Sequence, residues 1–357
     1  MYDRSWMARL PLVLALAGAF ACGSPGKVPA HGAERDWDGF VAEFMEQSFR
    51  DDPALAVAQG RHDFDGQVAD LSRPGIARSV SHLQAARARA QAFSTESLDA
   101  ARRFEREYLL AHVDGELFWK QRYAAFTKNP RLYADAIDPA IYVTRPYASL
   151  EVRLDAYLKH LRAVPRVVSS MKANLVKPLS RPFVDVAVTV FRELIPYVGD
   201  DVPQAFAAAG DAEKAELAHV TQTALAALRD AVGFLEHERA RAHDEFAMGP
   251  VLFQEMLWAT ERVDTPLDQL EAVGRADLAR NLAAITSACE SFAPGESLAA
   301  CAQKVNRNKA ADGAIGGARE QLTALREFVR AHELVTIPSD DLATVEPAPR
   351  YKRWKQA

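Results

Sequence analysis

The most regular pattern along the chain is the recurrence of apolar residues at helical spacing. Side chains about three to four positions apart share one face of an α-helix, so this spacing predicts amphipathic helices that pack against a core. The first stripe consists of Trp37, Phe40, Val41, Phe44, Met45 and Phe49. Asp52-Pro53 then predicts the start of a second helix, because proline is favoured in a first helical turn, and Gly60 predicts its end.

The same pattern predicts helices along most of the remaining chain: 72–93, 98–126, 150–174 with a kink at Pro165, 184–194, 213–243, 266–291 and 314–331. Residues 135–148 contain Pro139 and Pro146 and are expected to be irregular. The best strand-like run is 334–337, and no alternation of strands and helices appears. The sequence therefore predicts an all-α fold, a layered array of many helices within one domain over 36–335.

The N-terminus has the features of an export signal. Arg4 and Arg9 precede a short apolar run that ends in Ala-x-Ala directly before Cys22. This run has the length of a signal-peptide core and is too short to span a bilayer. We expect residues 1–21 to be a signal peptide, Cys22 to be a lipid anchor and 22–35 to be a flexible linker. The protein is then periplasmic, or lipid-anchored to the outer membrane.

Composition and charge narrow the classes of function. The chain has 357 residues, of which 49% are hydrophobic and 25% charged, with a formal net charge of −5. These values are typical of a globular protein and argue against a nucleic-acid partner, which favours a strongly basic surface. A membrane partner is expected only through the anchor. After export, Cys289 and Cys301 are expected to form a disulfide, with two separate buried thiols as the alternative.

Complete catalytic motifs are missing from the sequence. There is no H-E-x-x-H zinc motif, nucleophile elbow, phosphate-binding loop or C-x-x-C pair. His237-Glu238 and His243 come closest to a zinc site, but the two histidines are about 240° apart around a helix. We interpret them as a solvated helix face and His332-Glu333 as a helix C-terminus. No catalytic or metal-binding residue is assigned, and no cofactor is expected in this chain.

Two polar segments could contact a ligand. His62 and Asp65 lie in the densest polar cluster, residues 60–66, which could hold a metal or a substrate, or could be a turn with Asp70 or Ser72 capping the next helix. Arg145 and Tyr147 lie in a proline-containing loop and could recognise a carboxylate or a peptide backbone. The alternative for this loop is simple surface anchoring by Tyr147.

A dispersed set of motifs over residues 37–357 resembles the bacterial domain-of-unknown-function 885 family. The set comprises Trp37, Phe40 and Phe44, Asp52-Pro53, Gly60-x-His62-x-Phe64-Asp65, Asp70-x-Ser72, Asn129-Pro130 with Tyr133, Arg145-x-Tyr147, Arg153, Leu161, Pro165, Asn174-Leu175, Pro178, Gly249, Phe253, Leu257, Cys289 with Cys301, Leu334–Pro338, Ala348-Pro349 and Arg353-Trp354.

The resemblance implies an exported, helical, zinc-metallopeptidase-like protein. In the family, the presumed metal motif is a His-Glu pair followed by Pro-Gly-His, which would lie beyond Ala357. The resemblance therefore implies an incomplete version of a helical zincin-like fold, with residues 336–357 as the start of a missing part and zinc expected only in a full-length relative. We expect a truncated hydrolase portion, inactive alone, in which His62, Asp65, Arg145 and Tyr147 face a peptide-binding cleft. The alternative is a stand-alone periplasmic binding or scaffold protein.

Overall fold

The computed structural model describes residues 32–307 and 309–355. Within these residues every regular element is helical, which confirms the predicted all-α layered fold. The signal peptide, Cys22 and most of the predicted linker lie outside the described residues. The linker prediction is wrong at its end, because the first helix already begins at Gly32.

The chain divides into two compact units, between Val263 and Asp264. This boundary falls inside the segment 36–335 that the sequence suggests is one domain. The first unit contains α1 (Gly32–Asp51), α2 (Pro53–Ala58), α3 (Arg73–Ala92), α4 (Ala100–Leu117), α5 (Arg131–Ala136), α6 (Ala140–Thr144), α7 (Leu150–Arg162), α8 (Val164–Asn174), α9 (Arg181–Pro196), α10 (Val202–Ala205), α11 (Asp211–Arg239) and α12 (Gly249–Glu261). The second unit contains α13 (Leu267–Phe292), α14 (Leu298–Arg307) and α15 (Gly313–Ala331).

The first unit is built around two sets of packed helices. Helix α11 packs against α7, α8 and α9, and α4 packs against α3 and α12. Trp37 and Phe40 of α1 join Leu83 of α3 and Leu109 of α4 in one apolar cluster. The predicted start of α3 is confirmed, because the Ser72 hydroxyl accepts a hydrogen bond from the Gly75 amide at 3.2 Å.

Three predictions about local structure are corrected. Residues 135–148 are not wholly irregular: α5 ends there, and α6 forms where the Asp138 carboxylate accepts a hydrogen bond from the Ala140 amide. The helix over 150–174 is interrupted at Ala163, and Pro165 lies in the first turn of α8, where its missing N–H costs nothing. The run 334–337 is not a strand, because no neighbouring strand in the described part of the chain supplies hydrogen bonds.

The long helix predicted over 98–126 does not remain an α-helix to its end. α4 ends at Leu117 and is followed by a π-helical turn, Phe118–Arg122. Phe118 packs there with Tyr123 and with Met256 of α12 in a second apolar cluster. Among the helices of the described residues, none is long and apolar enough to cross a membrane.

Candidate functional site

The candidate site begins with the tight turn after α2. The Asp52 carboxylate caps α2 by accepting a hydrogen bond from the Leu55 amide at 3.2 Å. Gly60 then turns the chain with a φ of +84°, and residues His62–Phe64 form a single 3₁₀ turn. Phe64 packs on Phe49 of α1, with ring centroids 6.1 Å apart. This packing fixes the turn on α1, so the side chains that leave it have defined directions.

Gly66 connects this turn to α6 and α7. Its φ is +76°, and a Cβ atom at this position would lie 2.5 Å from the Lys159 Cβ and 2.7 Å from the Ala156 carbonyl oxygen. Its amide donates a hydrogen bond to the hydroxyl of Tyr142, a buried residue of α6, at 2.9 Å. The turn can therefore approach α7 closely only because residue 66 has no side chain.

Three of the four predicted cleft residues meet at this turn. The imidazole of His62 stacks on the Tyr147 ring, with centroids 3.9 Å apart and an interplanar angle of 4°. The Tyr147 hydroxyl donates a hydrogen bond to one Asp65 oxygen at 2.8 Å, and His62 Nδ1 lies 3.1 Å from the other. Asp65 therefore connects both rings, and we call His62, Asp65 and Tyr147 the His62 cluster.

The electrostatics of the His62 cluster hold its tyrosine in one protonation state. Burial raises the pKa of the Tyr147 hydroxyl, and the Asp65 carboxylate that accepts its hydrogen bond raises this pKa further. Tyr147 is thus a hydrogen-bond donor over the whole physiological range. Since Nδ1 of His62 faces Asp65, the second ring nitrogen, Nε2, is left to contact a ligand, and the side chain is about one-third exposed, at 37%.

Arg145 does not join the His62 cluster. Its side chain is exposed and forms no ion pair or hydrogen bond with the described residues. Arg153 has the supporting role in this loop: its guanidinium donates hydrogen bonds to the carbonyl oxygens of Tyr142, at 3.1 Å, and of Ala148, at 3.3 Å. Arg153 therefore holds the loop on both sides of Tyr147.

Two further residues at this site, Tyr142 and Arg61, are not among the candidates that the sequence analysis assigns to a ligand. Tyr142 lies in the segment predicted to be irregular, and only the fold reveals its contact with Gly66. Arg61 lies over the rings of Phe49 and Phe64, 5.3 Å from each centroid, and pairs with Glu46 and Asp63. The hydrogen bond from Arg61 holds the pKa of Asp63 below its usual value, so this exposed ion pair is charged at neutral pH.

The residues considered as zinc ligands are spread over the surface and the interior. His237 and His243 are exposed, whereas Glu238 is only 4% exposed and pairs with Lys177 at 2.7 Å. The prediction of a solvated face is therefore wrong for Glu238, because its carboxylate is buried and is compensated by an ion pair with the exposed ammonium of Lys177. His332 directly follows the last residue of α15, which fits the predicted helix C-terminus.

No group of three His, Cys, Asp or Glu side chains among residues 32–307 and 309–355 is arranged to hold a metal ion. The described side chains therefore do not form the zinc site that the family resemblance implies for a full-length relative. Elsewhere, a disulfide joins Cys289 and Cys301, whose Cα atoms are 5.9 Å apart. A surface cavity of about 580 Å³ between α10 and α11 is lined mainly by apolar residues and contains none of the predicted site residues.

Comparison with known proteins identifies a family and a related fold. The family model DUF885, described as a bacterial protein of unknown function, matches residues 53–357 and confirms the resemblance seen in the sequence. A solved structure from Shewanella oneidensis, described as a "putative lipoprotein of unknown function", shares 18% identity with a TM-score of 0.67. The match covers 84% of this chain and 58% of that protein. No curated protein is significantly similar.

Proposed function

Because the chain belongs to the bacterial DUF885 family of proteins of unknown function, we propose that it forms the helical N-terminal portion of an exported, metallopeptidase-like hydrolase. In this proposal the chain does not hydrolyse peptides alone. It supplies one wall of the substrate cleft and a surface on which further polypeptide packs. The peptidase chemistry is what the family resemblance implies, and the role of a partial wall follows from the features of this chain.

The observation that carries the proposal is the exposure of apolar side chains on the two long helices of the second unit. Helix α13 buries none of its side chains, and the apolar residues at helical spacing on its C-terminal half remain exposed. We call this surface the α13 stripe: Leu278, Leu282, Ile285 and Phe292. On α15, Leu325 and Phe328 are also exposed, and only Gly317 is buried. A globular unit of this size normally buries such residues.

Exposing these apolar side chains to water is unfavourable enough to imply that another surface packs over them in the functional assembly. Burying a leucine, isoleucine or phenylalanine side chain contributes roughly 1.5–3 kcal/mol relative to leaving it in water. A contiguous apolar stripe on a soluble protein therefore marks a surface that is covered in the functional assembly. The Shewanella protein supports further polypeptide as the cover, since the match accounts for only 58% of its length.

The His62 cluster supports the assignment of a cleft wall to the first unit. Its parts are positioned by α1, α6 and α7, so the site stands on packed helices. Nε2 of His62 offers a hydrogen-bond partner, and the exposed Arg145, in the same loop as Tyr147, offers a cation; these groups suit a peptide carbonyl or a carboxylate. We therefore assign His62, Asp65, Tyr147 and Arg145 to peptide binding and no bond-breaking step to any of them.

Export and anchoring belong to the same proposal. The pattern before Cys22 is that of a signal peptide followed by a lipid-modified cysteine. The related Shewanella protein carries the description of a lipoprotein, which fits the same location. In this proposal the hydrolase works in the periplasm or is tethered to the outer membrane.

The proposal is tested on the α13 stripe. We expect this chain to bind the apolar dye ANS strongly, and the portion of the Shewanella protein beyond the match to bind in trans and suppress the dye signal. The double substitution Leu278→Glu with Ile285→Glu should lower dye binding and abolish capture in isothermal titration calorimetry, because charges cannot be buried in that contact.

The matched control is Val273→Glu, on the same helix. Residue 273 lies about 135° around the axis from the stripe, so this variant should keep both dye binding and capture. If the wild-type chain binds little dye and is a stable dimer by light scattering, a second copy covers the stripe. That result, or equal behaviour of the two variants, contradicts the proposal and favours a stand-alone binding or scaffold protein.

A further inference from the structure

The interior of the first unit holds an imidazole that forms no hydrogen bond of normal geometry with the described residues. His160 of α7 is 3% exposed, and neither ring nitrogen forms a hydrogen bond of normal geometry in the described part of the chain. Most buried polar groups in folded proteins are paired, because an unpaired one loses its hydrogen bonds to water without replacement. The position of His160 therefore calls for an explanation beyond packing.

The groups around His160 do not offset its burial. The Ile137 carbonyl and the Asp138 carboxylate, from the connection between α5 and α6, both favour the protonated ring, but burial outweighs them and lowers the pKa. From α6, the Tyr142 ring faces the imidazole with centroids 5.4 Å apart. On α7 itself, Lys159 and Arg162 are paired with Asp155 and Glu216 near the surface.

A second buried polar group lies one helical turn earlier. Tyr157 is fully buried on α7, and its hydroxyl also has no hydrogen-bond partner in the described residues. Burial raises the pKa of the Tyr157 hydroxyl, and the electrostatic interaction with Tyr197, in the π-helical turn after α9, raises it further. Burial also raises the pKa of Tyr197, and Asp138 interacts electrostatically with both Tyr197 and His160. This region therefore concentrates polar groups in an interior that is otherwise lined by aliphatic and aromatic side chains such as Phe206, and introducing a positive charge there would be costly.

Tyr142 connects His160 directly to the His62 cluster. Its ring packs on the imidazole, and its hydroxyl accepts the Gly66 amide hydrogen bond at 2.9 Å. Gly66 directly follows Asp65, whose carboxylate holds both His62 and Tyr147. A displacement of α6 away from α7 would therefore break the Gly66 hydrogen bond and release the turn that carries Asp65.

From this chain of contacts we infer that His160 is a pH-sensitive device that controls the candidate peptide site through Tyr142. When the imidazole is neutral, α6 stays packed on α7 and the His62 cluster is assembled. When the imidazole takes up a proton, the charged ring requires water, α6 separates from α7, and the turn at Gly66 loosens. Peptide binding at the cluster, which rests on the proposed function, is thereby coupled to the acidity of the compartment.

The direction and size of the effect follow from proton linkage. In the open form the imidazole reaches water and has a pKa near 6.5, whereas burial holds the pKa of the closed form below this value. The open form therefore binds more protons, and its population grows as pH falls below 6.5. At about pH 5.5 the opening equilibrium should be about tenfold larger than at about pH 7.5.

The experiment is amide hydrogen exchange of the intact chain by NMR at these two pH values. The readout is the protection factor of the Gly66 amide, which already corrects for the intrinsic pH dependence of exchange. We expect it to fall about tenfold in acid in the wild-type protein. In His160→Met it should be the same at both pH values, because the ionisable group is absent. This readout needs no peptide, so it can fail or succeed independently of the proposed function.

A control and a second measurement keep the test decisive. His219→Gln removes an exposed histidine from α11 and should behave as the wild type does. If His160→Met does not fold, His160→Gln takes its place, and local opening is recognised because it lowers protection at Gly66 but not at Leu228 in the middle of α11. An unchanged Gly66 protection factor, an equal fall in His160→Met, or an equal fall at Leu228 would overturn the inference.

Discussion

Replacement of Gly66 by alanine is expected to lower the free energy of unfolding of the first unit by about 2–5 kcal/mol. Two separate costs add at this position. A non-glycine residue at a φ of +76° is strained by roughly 1–2 kcal/mol. The added Cβ would also lie 2.5 Å from the Lys159 Cβ and 2.7 Å from the Ala156 carbonyl oxygen. Relieving this overlap should cost roughly another 1–3 kcal/mol.

The chain offers a matched control for this prediction. Gly60 has a similar φ of +84°, but no atom lies within 4 Å of the position that a Cβ would occupy there, so Gly60→Ala should cost only the backbone strain. Urea denaturation followed by far-UV circular dichroism measures both variants. If Gly66→Ala costs no more than Gly60→Ala, the close approach of the turn to α7 is wrong, and with it the geometry of the His62 cluster.

Truncation of Trp37 to alanine is expected to cost about 3–5 kcal/mol. Trp37 is 0% exposed in the apolar cluster of α1, α3 and α4, and its ring meets the edges of Phe40 and Phe93 at centroid distances of 5.4 and 5.2 Å. Its indole N–H also donates a hydrogen bond to the Glu105 carboxylate at 3.0 Å. The variant loses this packing and leaves a cavity that neighbouring helices can fill only in part.

Trp258→Ala provides the comparison for Trp37. Trp258 lies on α12, is 51% exposed, and interacts with the Arg262 guanidinium 5.3 Å from the ring centroid. Its truncation should cost less than about 1 kcal/mol, mostly the cation–π contact. Equilibrium unfolding in urea distinguishes the two variants. Similar losses for both would mean that α1 is not packed on α3 and α4 as described.

Much of the helical architecture follows from local features of the sequence. The stripe that begins at Trp37 predicts α1, and the capping residues Asp52 and Ser72 mark the beginnings of α2 and α3. The break at Ala163 is less visible, because apolar residues continue through it at helical spacing and Pro165 is compatible with a helix start. Local sequence patterns therefore predict where helices form more reliably than they predict the break between two consecutive helices.

Helix α12 is not predicted by the spacing of apolar residues along the sequence. Apolar residues lie on several sides of this helix, including Val251, Leu252, Phe253, Met256 and Trp258, so no single stripe distinguishes it. The burial of Glu238 is likewise invisible in the sequence, because its partner Lys177 precedes α9 and reaches it only in the folded chain. Both cases depend on contacts between segments that are distant in sequence.

The candidate site is only partly predictable for the same reason. His62, Asp65 and Tyr147 are polar or aromatic residues in turns, which the sequence marks as candidates, and the fold brings these three together. It does not bring Arg145 into contact with them. Tyr142 and Gly66 could not be recognised, since their roles arise from a hydrogen bond and a close approach between segments that only the packing of α6 and α7 defines.

In the proposed function, this chain contributes a cleft wall and no hydrolytic metal centre of its own. The most direct test measures zinc content by mass spectrometry after dialysis of the purified chain against zinc, together with hydrolysis of fluorescein-labelled casein with and without a chelator. The proposed function predicts far less than one zinc ion per chain and no chelator-sensitive hydrolysis. One zinc ion per chain, with casein hydrolysis that the chelator abolishes, would contradict it.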